Sequence, residues 1–401
     1  MRDMSKHCVI LLLMGALLAG CDVLGLFGDD SLEGGEMAWW HDHDWQVYHT
    51  MPVLSSNTAF VASDGHIRAL DLSTGELQWK TERLIGGNNP RIRSRKLLRE
   101  EGTLYSNHLS NVWAIDEESG DVLWYTRIPN FSAIDIAKMA QNDTHLFLGG
   151  RGEVVRLRKS DGAVDLRIEL DRLLHPEAER QSGWDPELLG NDTLFVPTGF
   201  FFDGAEEIYG NVFGYDAHSG ELIWEFDVPQ KRRPIPGRED SLTIWSAVLG
   251  LDVNEDYVVF PFGESVMALD RHTGEPVWDT FFPAEHGFDL GLTIEGDQVF
   301  VGSLQSAMLS LDLHTGERLW ETRSPGSITT IVTVRDGRVY FTNPGGGSLW
   351  VLDAASGDVI WRKDAPRELG ERGDTFIAPI AVGDEMIVAN GTQRVFGYRK
   401  P

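Results

Sequence analysis

Residue types able to do chemistry are sparse in this chain, and few stand at spacings that would let them act together. His41 and His43, in Trp39-Trp40-His41-Asp42-His43-Asp44-Trp45, would project from one side of a strand, which is the beginning of a metal site. Two ligands fall short of the three or four that a first-row metal takes, so the segment reads as an outer strand with solvated histidines. Asn343-Pro344-Gly345-Gly346-Gly347 has the glycines of a phosphate loop without the strand-to-helix setting such a loop needs, and reads as a hairpin tip. No Ser/His/Asp order, paired-carboxylate pocket or Cys-x-x-Cys can be assembled from the spacing. No catalytic residue and no metal ligand is therefore nominated.

Both cysteines are N-terminal. Cys8 lies in a segment that runs from Arg2 and Lys6 into Val9-Ile10-Leu11-Leu12-Leu13-Met14-Gly15-Ala16-Leu17, a charged start and an apolar run too short for a stable membrane span. The run ends at Leu18-Ala19-Gly20-Cys21, which resembles the bacterial lipobox: aliphatic, small, small, cysteine. The resemblance implies that residues 1–20 are removed as a signal peptide and that Cys21 becomes a lipidated N-terminus. Several acyl chains, at about 0.8 kcal/mol per buried methylene, would hold the protein on a membrane. Residues 21–34, with Gly25, Gly28 and Gly34 among acidic residues, read as a short tether. The expected location is the cell envelope on the periplasmic side of the outer membrane; Asp22, directly behind the cysteine, keeps the inner membrane open.

The most frequent chemistry in the chain is that of a turn. In Ala69-Leu70-Asp71-Leu72-Ser73-Thr74-Gly75-Glu76-Leu77-Gln78-Trp79 an aspartate is followed by glycine four residues on and tryptophan four beyond that. The spacing returns as Asp116/Gly120/Trp124, Asp216/Gly220/Trp224, Asp270/Gly274/Trp278, Asp312/Gly316/Trp320 and Asp353/Gly357/Trp361. A decayed copy keeps Gly162 between Arg158 and Leu166. The aspartate can accept hydrogen bonds from backbone N–H groups two and three residues on, and glycine supplies the positive φ that closes the turn. Each turn follows an alternating apolar run, so each unit is a β-hairpin whose returning strand carries the tryptophan. A ring that large must bury itself against a neighbouring sheet, so several hairpins must stack.

From glycine to glycine the copies lie 45, 42, 58, 54, 42 and 41 residues apart. Periods of this length with a late tryptophan indicate a propeller of four-stranded blades. One blade, for example, reads as Ser327 to Val334, Arg338 to Thr342, Ser348 to Asp353 and Val359 to Trp361. The C-terminal Phe396-Gly397-Tyr398-Arg399 aligns with Phe213-Gly214-Tyr215-Asp216, so the last blade lacks its outer strand. Gly35-Glu36-Met37-Ala38-Trp39 repeats the pattern of Gly75-Glu76-Leu77-Gln78-Trp79 without an aspartate turn before it. The N-terminal strand should complete the C-terminal blade and remove both open edges. The expected fold is all-β: one domain over residues 35–401, an eight-bladed propeller of four-stranded antiparallel blades.

Formal net charge is −27, which argues against nucleic acid and against docking on anionic lipid by charge. Insertions at 171–184, 200–210 and 230–243 stretch the period, and in an antiparallel blade all three belong to the face opposite the aspartate turns. Arg91, Arg93, Arg95 and Lys96, then Lys231, Arg232, Arg233 and Arg238, then Arg367 and Arg372 fall in connections on that same face. They form a candidate partner-binding rim, with pairing to local carboxylates as the alternative.

The pattern Ala-x-Asp-x-x-Thr/Ser-Gly-x-x-x-Trp at 69–79 and 268–278 resembles the tryptophan-docking motif of pyrroloquinoline-quinone propellers. That superfamily includes the quinoprotein alcohol dehydrogenases and, without a cofactor, the outer-membrane assembly lipoproteins of the BamB type. The dehydrogenase branch implies a vicinal disulfide, calcium ligands and an aspartate base, none of which can be matched here, so neither the quinone nor calcium is expected. The assembly branch implies a lipid-anchored scaffold, without catalysis, for the machinery that inserts β-barrels into the outer membrane. The Leu-Arg-Gly segment with which that branch grips its central subunit has no counterpart, and no partner-binding residue is carried across. The alternative function is a quinone-dependent oxidoreductase or a small-ligand binder using the central funnel.

Overall fold

A computed structural model describes residues 35–42, 50–63, 65–84, 97–132, 138–170, 180–183, 185–189, 192–201, 209–234, 241–288, 291–344, 347–366, 374–376 and 378–401. The local chemistry of the repeat holds at every intact turn. Asp71 Oδ1 accepts the backbone N–H of Ser73 and of Thr74, each at 2.9 Å, and Gly75 closes the turn at φ 73°. Asp116, Asp216, Asp270, Asp312 and Asp353 accept the equivalent pairs of N–H groups. In the decayed copy Gly162 N–H still bonds to Arg158 O at 2.8 Å, while the Arg158 side chain pairs with Asp161 at 2.7 Å.

These hydrogen bonds hold the turn aspartates below the usual carboxylate range. The backbone N–H of Ser119, Ser219, Thr273 and Ser356 is the largest cause for Asp116, Asp216, Asp270 and Asp353. For Asp71 and Asp312 it is the hydroxyl of Ser73 and of Thr315. A depressed carboxylate contributes stability above its unfolded pKa and loses it as pH falls through the folded value. The stability difference between the parent and Asp116→Asn, read from urea midpoints, is therefore expected to hold constant above about pH 5 and to shrink toward pH 3. A difference that is flat across that range would show that the turn does not depend on the charge.

Blades 1 to 7 begin in turn at Val53–Leu54, Leu98–Glu100, Met139–Gln141, Glu187–Leu189, Asp252–Val253, Leu292–Glu295 and Thr333–Arg335, each followed by antiparallel partners in simple order. Blade 8 takes Ala381–Val382, Met386–Asn390 and Arg394–Arg399 from the C-terminus and Met37–Asp42 from the N-terminus. The first strands of successive blades abut around the central axis, and the fourth strands form the rim. Blade 7 starts later than its apolar run, because Ile328 N–H is bound to Ser303 O at 3.0 Å and Val332 O accepts Thr293 Oγ1 at 2.6 Å. Those groups serve the neighbouring blade instead of a strand of their own. Among the described residues there is no helix long and apolar enough to cross a membrane.

The core lies between blades. Ala268 and Trp278 of blade 5, for instance, pack with Val299, Leu309 and Leu311 of blade 6. At six of the eight seams the tryptophan of one blade lies over the turn glycine of the next: Trp39 over Gly75, Trp79 over Gly120, Trp124 over Gly162, Trp224 over Gly274, Trp278 over Gly316 and Trp320 over Gly357. The indole N–H of each then donates to a carbonyl in that turn, for example Trp39 to Leu72 O at 2.8 Å and Trp278 to Leu313 O at 2.7 Å. A threonine two residues after the tryptophan adds a second bond at three seams, as Thr126 Oγ1 does to Gly162 O at 2.7 Å. Only the seam between blades 3 and 4 is built otherwise: Leu166 and Ile168 cover Gly220.

The two ends of the propeller rebuild one turn between them. Gly35, at φ 71°, occupies the glycine position against Trp361. Its N–H donates to Arg399 O at 3.0 Å, and Arg399 N–H donates to Glu36 O at 2.9 Å. These are the bonds that Gly75 makes to Asp71 O and Asp71 to Glu76 O within an intact turn. The N-terminal strand completes the C-terminal blade, with Trp40 opposite Phe396 and His41 opposite Val395.

Candidate functional site

The antiparallel order sends every connection between blades to the face where second and third strands turn. Leu84 N–H bonds to Gly65 O at 2.8 Å, Phe288 N–H to Gly263 O at 2.7 Å and Leu304 N–H to Gly287 O at 2.9 Å, tying connection to turn across that face. The long insertions elaborate it. Thr193–Phe201 of blade 4 extends past its neighbours, pairing first with Glu187–Leu189 and then with Arg180–Gly183, which gives that blade a fifth strand. Between blades 4 and 5 the chain forms a separate hairpin, Lys231–Pro234 against Ser241–Ile244.

Of the nominated cations, Lys231 and Arg233 fasten this hairpin. Lys231 Nζ lies 2.5 Å from Asp279 Oδ1 and over the Phe281 ring at 4.9 Å, and Arg233 Nε meets Glu264 Oε1 at 2.9 Å. Ile244 is buried over Gly263, where an added Cβ would come within 2.3 Å of its Cγ2. Arg232, opposite Thr243, is exposed. Arg91, Arg93, Arg95, Lys96, Arg238, Arg367 and Arg372 lie outside the described residues, as do Cys21 and His43. Two residues that sequence reasoning passed over are prominent: Trp245 is 57% exposed and Leu242 43% exposed at the same hairpin. Their signal was a tryptophan outside the Gly-x-x-x-Trp spacing, two residues past the 230–243 insertion, where no seam needs one.

The axial funnel holds a cavity of about 370 Å³. Its polar groups stitch neighbouring blades together: Lys138 N–H donates to Asp185 Oδ1 at 2.9 Å, Lys138 Nζ pairs with Glu187, and Asp252 Oδ2 accepts Ile294 N–H at 2.8 Å. Among the described residues no three His, Cys, Asp or Glu side chains converge on a point where a metal ion could sit.

A family model described as outer membrane protein assembly factor BamB matches residues 31–131 and 262–400. The chain belongs to the BamB family. The unmatched stretch between those segments carries the Leu166 seam, the five-stranded blade and the hairpin, so the family pattern lapses where this propeller elaborates its face. No curated protein matches the sequence. Among solved structures, BamB from Moraxella catarrhalis superposes with a TM-score of 0.64 at 14% identity, over 91% of this chain and 100% of that one. The computationally designed Ika8 protein gives 0.67 at 16% identity over 92% and 100%. Quinohemoprotein alcohol dehydrogenase from Comamonas testosteroni gives 0.64 at 11% over 93% and 78%. At such identities the likeness establishes the propeller and nothing finer.

Proposed function

We propose that this chain is a non-catalytic scaffold of the cell envelope, anchored through a lipid on Cys21, that docks a protein of the outer-membrane β-barrel assembly machinery with its loop-rich face. Family membership supports the setting. The observation that carries the docking surface is the hairpin between blades 4 and 5, which presents Trp245, Leu242 and Arg232 on a base fixed by two ion pairs. Tryptophan and arginine are the residue types enriched at interface centres, and a braced hairpin that exposes both loses little freedom when it binds.

Cross-linking in native membranes followed by capture of the lipoprotein is expected to recover an envelope partner from the parent. Recovery should fall by about tenfold or more from Trp245→Ser or Arg232→Glu, with the melting temperature unchanged. Gly263→Ala, whose added Cβ would meet Ile244 Cγ2 at 2.3 Å and Trp245 O at 2.5 Å, should lower recovery by displacing the base of the hairpin, at some cost in melting temperature from its φ of 52°. Capture of the lipoprotein alone, or equal recovery from all variants, would sink the reading. Pyrroloquinoline quinone with calcium should leave the melting temperature unchanged and give no dye reduction; a shift with turnover would favour the oxidoreductase alternative.

A further inference from the structure

We infer that the outer edge of blade 2 accepts an extended β-strand from another polypeptide, a surface on the rim of the ring that is independent of the loop-rich face. The argument begins with the residue that follows the docking tryptophan in each outer strand. It is Lys80 in blade 1, Arg167 after Leu166 in blade 3, Glu225, Asp279, Glu321 and Arg362 in blades 4 to 7. A charge in the middle of an edge strand deters pairing with a further strand. Blade 8 has Trp40, which lies beneath the Arg394 guanidinium at 5.4 Å, and Arg394 in turn pairs with Asp42 at 2.8 Å. Blade 2 has Tyr125.

The strand Val122–Arg127 accordingly runs Val122-Leu123-Trp124-Tyr125-Thr126 before its first charge. All five residues have strand-forming or large apolar side chains, and Val122, Leu123 and Tyr125 are 44%, 54% and 52% exposed. Tyr125 is held flat on Trp113, with ring centroids 5.5 Å apart, and its hydroxyl donates to Asn111 Oδ1 at 2.7 Å. Ile128 N–H bonds to Ser110 O at 2.8 Å, and Trp113 faces Tyr125 in the ladder. Antiparallel pairs alternate, so the N–H and C=O groups of Trp124 and Thr126 point into the blade while those of Tyr125 and Arg127 point outward. A row of outward backbone groups, a fixed ring at Tyr125 and no charge before Arg127 at the strand's end is the geometry that strand addition uses.

Charge selects the occupant. A second copy would bring another net charge of −27 to the edge, whereas a segment with a basic end would be attracted to Glu118 and Asp121 at the strand's start, and Arg127 at the strand's other end would repel a second basic end. The partner is an extended segment that is uncharged at its centre, basic at the end that meets Glu118 and Asp121 and neutral at the end that meets Arg127.

The probe is a fluorescent peptide alternating valine and threonine with a lysine at one end only, made with the lysine at either terminus so that both strand directions are covered, titrated into the purified full chain and followed by anisotropy. Saturable binding is expected, weakened by at least about tenfold in Tyr125→Lys, which copies the guard of blade 1, and unchanged in Ile223→Lys on the already guarded edge of blade 4. Two peptides N-methylated on alternate amides should differ: the set facing the edge abolishes binding to the parent, and the other set retains it. This comparison needs no variant to fold. No saturable binding, equal binding by Tyr125→Lys, or equal binding of both methylated peptides would overturn the proposal. So would self-association of the parent that Tyr125→Lys removes, which would assign the edge to a second copy.

Discussion

Removing Met37–Asp42 is expected to destabilise the whole ring in one transition, with a loss greater than that of any single core substitution. The strand supplies the fourth member of blade 8 and the indole of Trp39, which is buried between Gly397 and Gly75 and donates to Leu72 O at 2.8 Å. Trp39→Ala alone should cost about 3–5 kcal/mol, the usual range for a large aromatic truncated in a core. Deletion adds the lost ladder and leaves Val395, Phe396 and Tyr398 on an open edge beside the broken seam to blade 1. A propeller is a stack closed on itself, so opening one seam also withdraws support from blades 7 and 1. Thermal and urea unfolding, each followed by tryptophan fluorescence and by circular dichroism, would check this. Coincident transitions at a sharply lower midpoint are expected; a parent-like midpoint would mean that the ring does not depend on this closure.

The closure was legible because the repeat is strict. Glycine at 35 and tryptophan at 39 could be assigned to an outer strand from spacing alone, since the same spacing recurs at Gly75 and Trp79. The target of each indole was not legible. That Trp79 donates to Glu117 O rather than packing loosely depends on the twist between blades, which no single repeat encodes. The same limit applies to the fifth strand of blade 4. The insertions at 171–184 and 200–210 were visible as excess length, but only the fold brings Arg180–Gly183 beside the far end of Thr193–Phe201. For the loop-rich face, spacing placed Lys231, Arg232 and Arg233 together and could not say that alternation along the hairpin turns the first and third toward Asp279 and Glu264. Trp245 was hidden by the success of the pattern, since tryptophans that matched the repeat drew the explanation and one that did not match was passed over.

The strength of the seams can be tested where they differ. At Gly75 an added Cβ would lie 2.5 Å from Trp39 Cε3, against an indole held by its hydrogen bond to Leu72 O. At Gly220 the nearest atoms would be Leu166 Cδ2 and Ile168 Cγ1 at 3.2 Å, the ends of side chains that can turn aside by a few tenths of an ångström. The two glycines have nearly the same φ, 73° and 76°, so the backbone strain of replacing them with alanine, about 1–2 kcal/mol, is common to both. What remains is the crowding of the ring. Gly75→Ala should therefore lose about 1–3 kcal/mol more than Gly220→Ala, the range for overpacking a tight core. Gly274→Ala, under Trp224 at 2.6 Å, should behave like Gly75→Ala. Urea midpoints at equal slopes give the comparison directly. Equal losses at all three positions would mean that the indoles yield as readily as leucine, and that the turn glycines are required for their backbone conformation alone.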